Sequence, residues 1–478
     1  MGDWLDRPSF RHALVEKENA TPELIPDQSA GTSRPVETLV IEEDKRVDKQ
    51  KTGYGFDTLA IHAGQTPDPS TLSRAVPIHR TSSYVFKDTQ HAANLFGLKE
   101  LGNIYTRIMN PTTDVLENRM AALEGGVGGL ALASGSSAVF YSIINVIEQG
   151  YELLASRHLY GGTFTLFQDI LPQFGIKTRF VDCGDAEAFA NSINSKTRAI
   201  FIETIGNPEL CVPDFLEISQ VAKKAHVPLI VDSTFTTPYI FRPIEFGADI
   251  VVHSLTKWIG GHGTAIGGVV VDSGTFDWTD KKFRLFNDPE PSYHGLRFAH
   301  DLGPMSNMAY ILRMRLVPLR NMGACISPDN SWIFLQGLET LSLRMERHCA
   351  NAIAVARHLE KHKGVDWVKY PGLESEPSYS KVLKYFRNGC GGSVVVFGIK
   401  GKTEAAKRFM GGLKLFSHLA NVGDAKSLVI HPASTTHSQL SNEQRLLAGI
   451  PDEMIRLSVG IEDIEDILED LDNALASV

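Results

Sequence analysis

A recurring unit constrains the fold most. Short apolar, β-branched runs end in small or polar residues and are followed by segments with helical spacing. GLALAS (129–134), YELLAS (151–156), RAIFIET (198–204), PLIVDST (228–234), ADIVVHS (248–254) and IGGVVVDS (266–273) each read as a strand buried on both faces. Between them, TFTLFQDILPQFG (163–175) and PDFLEISQVAKKAH (213–226) carry helical spacing. This alternation predicts an α/β protein with a large, mostly parallel sheet and helices on both faces. Ligands of such sheets bind at the C-terminal ends of the strands, so chemistry is sought just after each apolar run.

The pattern has limits that divide the chain. Residues 1–52 are polar, with mixed charges and scattered prolines, and read as a disordered extension. Residues 53–115 form an N-terminal arm, 116–325 the α/β domain with a loop-rich insertion near 275–300, and 326–478 a smaller α+β domain. That last part opens on helical spacing over 328–362 and has further strands in GGSVVVFGI and IRLSVGIE. A length of 478 residues exceeds one ordinary core. The net charge of −9 gives no reason to expect nucleic acid or an anionic membrane as partner. No apolar run reaches membrane-spanning length. The N-terminus lacks the apolar core of a signal peptide and is too acidic for a transit peptide, which points to the cytoplasm. Five cysteines, widely spaced and without a CxxC pair, suit free thiols in a reducing compartment and predict neither a disulfide framework nor a metal site.

Four stretches carry candidate chemistry. Asp232 ends one apolar run, and Lys257 follows the next, in VVHSLTKWIGGHG. Taken singly, the Asp reads as a cap or structural carboxylate and the Lys as a solvated residue leaving a strand. Together they put a carboxylate and an amine on neighbouring strand ends. Pyridoxal phosphate (PLP) needs a lysine for its Schiff base, an acid near its ring nitrogen and a phosphate cradle. Ser254 and Thr256 supply hydroxyls beside Lys257. Gly135 and Ser136 open a helix directly after GLALAS, an arrangement that binds anions through free N–H groups, though many helices begin this way. Tyr160, in LYGGT, stands at the ligand edge, where its ring either stacks on a flat heterocycle or packs locally. Tyr105 and Arg107 lie two apart in an extended segment and point the same way, toward a phosphate or along an exposed edge.

In order along the chain, YTRIMNPTTDVLENRMAALEGG, LYGGT, ETIGNP, IVDSTF, HSLTKWIGGHGTAIGGVVVD, NVGDAKSLVIHPASTTH and IRLSVGIEDIEDI resemble the Cys/Met-metabolism family of PLP-dependent enzymes, of fold type I. The resemblance runs from Phe56 to nearly the C-terminus. It implies Lys257 as Schiff-base lysine and proton shuttle, Asp232 as partner of the ring nitrogen, and Tyr160 as stacking ring and, with Tyr105, a helper in proton transfer. Gly135, Ser136, Ser254 and Thr256 then form the phosphate cradle, and Asn207 lies near the ring oxygen. It further implies that Arg456 and Ser427 hold the α-carboxylate of a small amino-acid substrate. Tyr105 and Arg107, on the arm, reach a neighbouring subunit's site, so the resemblance implies a homo-oligomer, dimer or tetramer, with shared active sites.

Finer marks, including HAGQTPDP and the SYHG insertion, are most similar to the branch that places sulfide on O-acetylhomoserine. Gly162 stands where the lyase branch usually has cysteine. SGSSA and His79-Arg80 depart from the branch pattern beside the cradle and the entry. These departures keep open the same vinylglycine-type chemistry with a carbon or nitrogen nucleophile, alongside cystathionine γ-synthase and methionine γ-lyase activities. A nucleotide-binding module lacks support, since neither GxxxxGK[ST] nor a strand–GxGxxG–helix is present.

Overall fold

The apolar runs pair into two sheets. In the computed structural model of the chain, the described residues are 53–207, 209–435, 443 and 449–478. The extension read over 1–52 therefore lies outside them. The larger sheet contains β1 (Gly128–Leu132), β2 (Glu152–Ser156), β3 (Lys177–Val181), β4 (Thr197–Glu203), β5 (Leu229–Asp232), β6 (Ile250–Ser254) and β7 (Gly268–Asp272). Its order is β1-β7-β6-β5-β4-β2-β3. The five strands from β3 to β6 run parallel, and β7 runs antiparallel between β6 and β1. The smaller sheet contains β8 (Val365–Lys369), β9 (Val394–Ile399), β10 (Ser417–His418), β11 (Leu428–Ile430) and β12 (Met454–Ser458), in the order β10-β11-β12-β9-β8.

Alternation along each strand divides the larger sheet's side chains between two cores. Ile200, Ile202, Leu229, Val231, Val251 and Val269 pack on one face. Ala199, Phe201, Ile230, Ile250, Val252 and Val270 pack on the other. Both faces are buried, which is why these strands read as continuous apolar runs rather than alternating ones. Each fully buried Val, Leu or Ile contributes about 1.5–3 kcal/mol.

Local signals set the helix ends. Helix α1 (Pro111–Glu124) starts where the Asn110 side chain accepts the Thr112 N–H, and stops at Gly125 with φ of 79°. Helix α2 (Gly135–Ile144) is capped by Ser134, which accepts the Ser137 N–H. Helix α3 (Phe215–Ala225) is capped by Asp214 and carries Lys223 and Lys224 in its last turn, where the helix dipole favours cations.

Some expectations need revision. The helical spacing over 328–362 divides into two helices, α4 (Pro328–Glu339) and α5 (Leu341–Lys361), meeting at Thr340. TFTLFQDILPQFG begins as an α-turn, widens into π geometry and then tightens into a 3-10 turn, with Pro172 unable to continue an α-helix. Strand β3 was not read from the sequence because four of its five residues are only part-buried or exposed. The cysteine reading fails for two of the five: Cys183 and Cys211 are joined in a disulfide, and only Cys325, Cys349 and Cys390 are free. Their separation of 28 residues gave no local motif. Strand order brings them together, since β3 and the loop after β4 flank β2. Among the described residues, no helix is long and apolar enough to cross a membrane.

Candidate active site

The C-terminal ends of β4, β5 and β6 supply the centre of the site. Glu203 of β4 is in register with Asp232 of β5, so two carboxyl groups stand side by side on neighbouring strands. Like charges this close cannot both ionise cheaply. Burial, with Asp232 adding to it, pushes the Glu203 carboxyl well above its ordinary range. Asp232 is also raised by burial, but Thr234 hydrogen bonds and nearby His253 pull the other way. Its surface is not wholly covered; the dense protein around it is nonetheless enough to raise it. Asp232 is thus the carboxyl of the pair better placed to carry charge.

Thr234 connects this carboxylate to the next strand. Its N–H donates to Asp232 Oδ1 at 2.9 Å, and its Oγ1 accepts the Ser254 N–H at 2.9 Å. Three residues past Ser254, Lys257 extends its Nζ to Asn421 Oδ1 at 2.5 Å. Burial, and then the Arg456 guanidinium, lower the Lys257 pKa from 10.5 to about 8. Arg456, on β12, donates from Nη1 to Asn207 Oδ1 at 3.4 Å, and burial lowers it to about 10 with Tyr160 working the other way. Among the described residues, no carboxylate forms an ion pair with Arg456. Among the described residues, neither of the two cations in the cleft has an anionic partner of its own.

The residues fit a phosphate beside them. Ser134 takes the Ser137 N–H, and the Gly135 and Ser136 N–H groups at the start of α2 have no acceptor among the described residues. Gly135 faces Ser254 directly: a Cβ there would lie 2.6 Å from Ser254 Cβ and 2.8 Å from its Oγ. Only glycine leaves that notch open, and the exposed N–H groups with the helix dipole suit an anion. Thr256 is less free. Its Oγ1 accepts the Gly267 N–H at 3.1 Å and lies 3.3 Å from the Gly267 carbonyl, a long bond to surrender before it donates to a phosphate.

Tyr160 is half exposed, and its N–H donates to Glu203 Oε1 at 2.8 Å. Its ring lies over Gly162, where a Cβ would meet Tyr160 Cε1 at 2.6 Å. A side chain at position 162 would thus displace this ring. Tyr105 and Arg107 are not brought to this cleft by contacts within the chain. Tyr105 is 41% exposed, and the Arg107 guanidinium lies 5.3 Å from its ring centroid. The structure corrects Ser427. It is fully buried, its hydroxyl donates to Glu462 Oε2 at 2.9 Å and accepts the Gly460 N–H at 2.9 Å, and it has no proton left for a carboxylate.

Sequence reasoning missed three residues here. Asn421 holds the lysine, and its signal was its place at the head of NVGDAKS. Glu203 holds Tyr160 and ends a strand just as Asp232 does. Arg344, from α5, is buried and donates to the carbonyls of Trp258 (2.6 Å), Ile259 (3.2 Å) and Gly337 (2.6 Å). It fastens the turn after Lys257, and nothing in a helical stretch of charged residues marks it. That turn is also gripped from the other side, where the Ala425 N–H donates to the Gly261 carbonyl at 2.8 Å and Gly423 packs against Trp258.

The profile of the family described as Cys/Met metabolism PLP-dependent enzymes matches residues 57–476. An O-acetyl-L-homoserine sulfhydrylase of Leptospira meyeri is 55% identical over 427 residues, 88% of this chain and 97% of its own. A homocysteine synthase of Schizosaccharomyces pombe is 52% identical, again over 88% of this chain and 98% of its own. A crystal structure of a provisionally assigned O-acetylhomoserine (thiol)-lyase from Campylobacter jejuni, containing N'-pyridoxyl-lysine-5'-monophosphate, superposes with a TM-score of 0.85 at 40% identity, covering 89% of this chain and all of that one.

Proposed function

The chain belongs to the Cys/Met metabolism family of PLP-dependent enzymes, and from that premise we propose that it replaces the acetoxy group of O-acetyl-L-homoserine with sulfide, releasing homocysteine and acetate. Arg456 carries the reading on the structural side. A largely enclosed guanidinium with no anionic partner among the described residues, close enough to Lys257 to lower its pKa, calls for a carboxylate ligand. The acyl group and the nucleophile follow the names of the relatives.

When bound, the cofactor supplies an electron sink for carbanions next to the amino group. In this reading Gly135, Ser136 and Ser254 hold its phosphate, Asp232 keeps a proton on its ring nitrogen, and Tyr160 covers its ring. Asn207 helps to orient Arg456. Lys257 Nζ is the proton carrier. Its lowered pKa leaves a useful fraction neutral near pH 7, able to take a proton from the substrate's α-carbon, hand it back to the bound substrate–cofactor pair at another atom, and only then, neutral again, take one from the β-carbon; the protons return in reverse order. Asn421 fixes Nζ in one direction while it does so. Glu203, its carboxyl pushed well up by burial and by Asp232, resists adding a second negative charge there.

The same reading divides the chain into an arm over 53–115, a cofactor-binding domain over 116–325 and a C-terminal domain over 326–478, in a cytoplasmic homo-oligomer. Exposed Leu72 (78%), Val85 (96%) and Leu101 (69%) on the arm support a subunit contact there. Tyr105 and Arg107 would then complete a neighbour's phosphate site.

The test supplies purified enzyme with O-acetyl-L-homoserine and, in separate reactions, sulfide, cysteine, methanethiol, amines and enolisable carbonyls. Mass spectrometry should find homocysteine with sulfide, and acetate in equal amount. A γ-adduct formed only with a carbon or nitrogen nucleophile would replace sulfide in the reading. No γ-substitution with any of them would end it.

A further inference from the structure

Beside the cleft, three strand ends bring together a second group that the reaction does not use. His158 follows β2, Cys183 follows β3, and Cys211 lies in the loop after β4. One ring nitrogen of His158 and the two sulfurs all lie within 4.8 Å of one another. His158 Nε2 is 2.9 Å from Glu209 Oε2, while its Nδ1 is buried and has no hydrogen-bond partner among the described residues. Leaving a buried ring nitrogen unsatisfied costs about 1–3 kcal/mol, so it calls for an occupant. A carboxylate on one ring nitrogen fixes the tautomer and makes the other a better ligand, the relation common behind metal-binding histidines.

We propose that His158, Cys183 and Cys211, with Glu209 orienting the imidazole, form a binding site for a thiophilic divalent cation of the zinc class. Two thiolates and an imidazole are the donors such an ion prefers, and three protein ligands leave a fourth position for water. The ligand form is the dithiol. A dithiol reductant opens the disulfide, becoming oxidised itself and leaving two Cys thiols. The ion then displaces the proton of each thiol and takes both thiolates. The Cα atoms of the pair are 7.0 Å apart, just past the usual disulfide span of about 4.4–6.8 Å, so once the bond is opened the backbone does not hold the two sulfurs together and an ion can enter between the thiolates.

The site borders the substrate cleft through one glycine. A Cβ on Gly206 would meet Cys211 Sγ and His158 Cβ, each at 2.8 Å. The next residue, Asn207, contacts Arg456. A bound ion would tie the start of this loop to the ends of β2 and β3, and so steady Asn207.

The experiment uses holoenzyme reduced with a phosphine, given zinc chloride alone and dialysed. Metal is counted by mass spectrometry and thiols by alkylation. The site predicts about one zinc ion per chain, with Cys183 and Cys211 protected from alkylation. Cys183→Ser with Cys211→Ser should abolish retention, and so should His158→Gln, which leaves both thiols in place should the double variant fold poorly. Glu209→Gln should weaken zinc binding by about 10- to 100-fold. Cofactor absorbance and the thermal midpoint report whether each variant is folded. Zinc retained equally by wild type and His158→Gln would overturn the assignment. So would a reduced wild type that holds none, whether its two thiols stay free or close again into a disulfide.

Discussion

Deprotonation of Lys257 sets how fast the cofactor-free chain captures pyridoxal phosphate, because only the neutral amine attacks an aldehyde. At the ordinary pKa of 10.5, about 0.03% of the side chain is neutral at pH 7; at about 8 the fraction is about one-tenth, a gain of roughly 300-fold. The capture rate should therefore rise about tenfold per pH unit below 7, bend near 8 and level off above about 9. The assay is stopped-flow absorbance with cofactor-depleted enzyme between pH 6 and 10.5, with Lys257→Met as the blank for other lysines. Stability follows with the matching sign. The folded chain lowers this cation's pKa, so folding is penalised in full below about 8, by about 3 kcal/mol, and the penalty fades as pH rises to 10.5. A rate still climbing steeply past pH 9.5, or a bend near 8 that persists in Lys257→Met, would refute the argument. Arg456→Met removes the second cause of the shift, so the bend should move to higher pH.

Four further substitutions separate the roles. Asp232→Asn removes the charge opposite the cofactor's ring and should lower kcat by about 30-fold or more, the 2 kcal/mol or above lost when one partner of a buried charge pair goes. Glu203→Gln mimics the neutral acid that burial and Asp232 favour, so kcat should stay within about twofold of wild type; a collapse as deep as that of Asp232→Asn would show the two carboxyls were assigned the wrong way round. Arg456→Lys should raise KM for the amino-acid substrate more than it lowers kcat, because a point charge replaces a bidentate fork. Arg344→Met strands three carbonyls and should cost about 3 kcal/mol or more, read as a lower urea midpoint.

The larger sheet was legible because both its faces are buried, so each inner strand announces itself as an apolar run and the chemistry falls at its end. Lys257, Asp232 and Gly135 could be found by that rule alone. Edge strand β3 and three-residue β11 carry too little apolar sequence to be read this way. The misjudged residues share a different cause. Ser427, Asn421 and Arg344 owe their surroundings to contacts across long separations, and Ser427 is spent on Glu462 for reasons visible only once β11 and β12 pair. Cys183, Cys211 and His158 meet because strand order differs from chain order, which no local spacing reveals.

The grip of residues 421–425 on the lysine's turn orders events during synthesis. All seven strands of the larger sheet lie within the first 272 residues, and the phosphate notch and Asp232 lie among them. Asn421, which aims Nζ, and Arg456, which lowers its pKa, are made among the last sixth of the chain. A nascent chain can therefore build the cofactor's bed before it owns a lysine tuned to react. Premature trapping of the aldehyde is disfavoured, and commitment to the cofactor waits until Asn421 and Arg456 have been made and have docked.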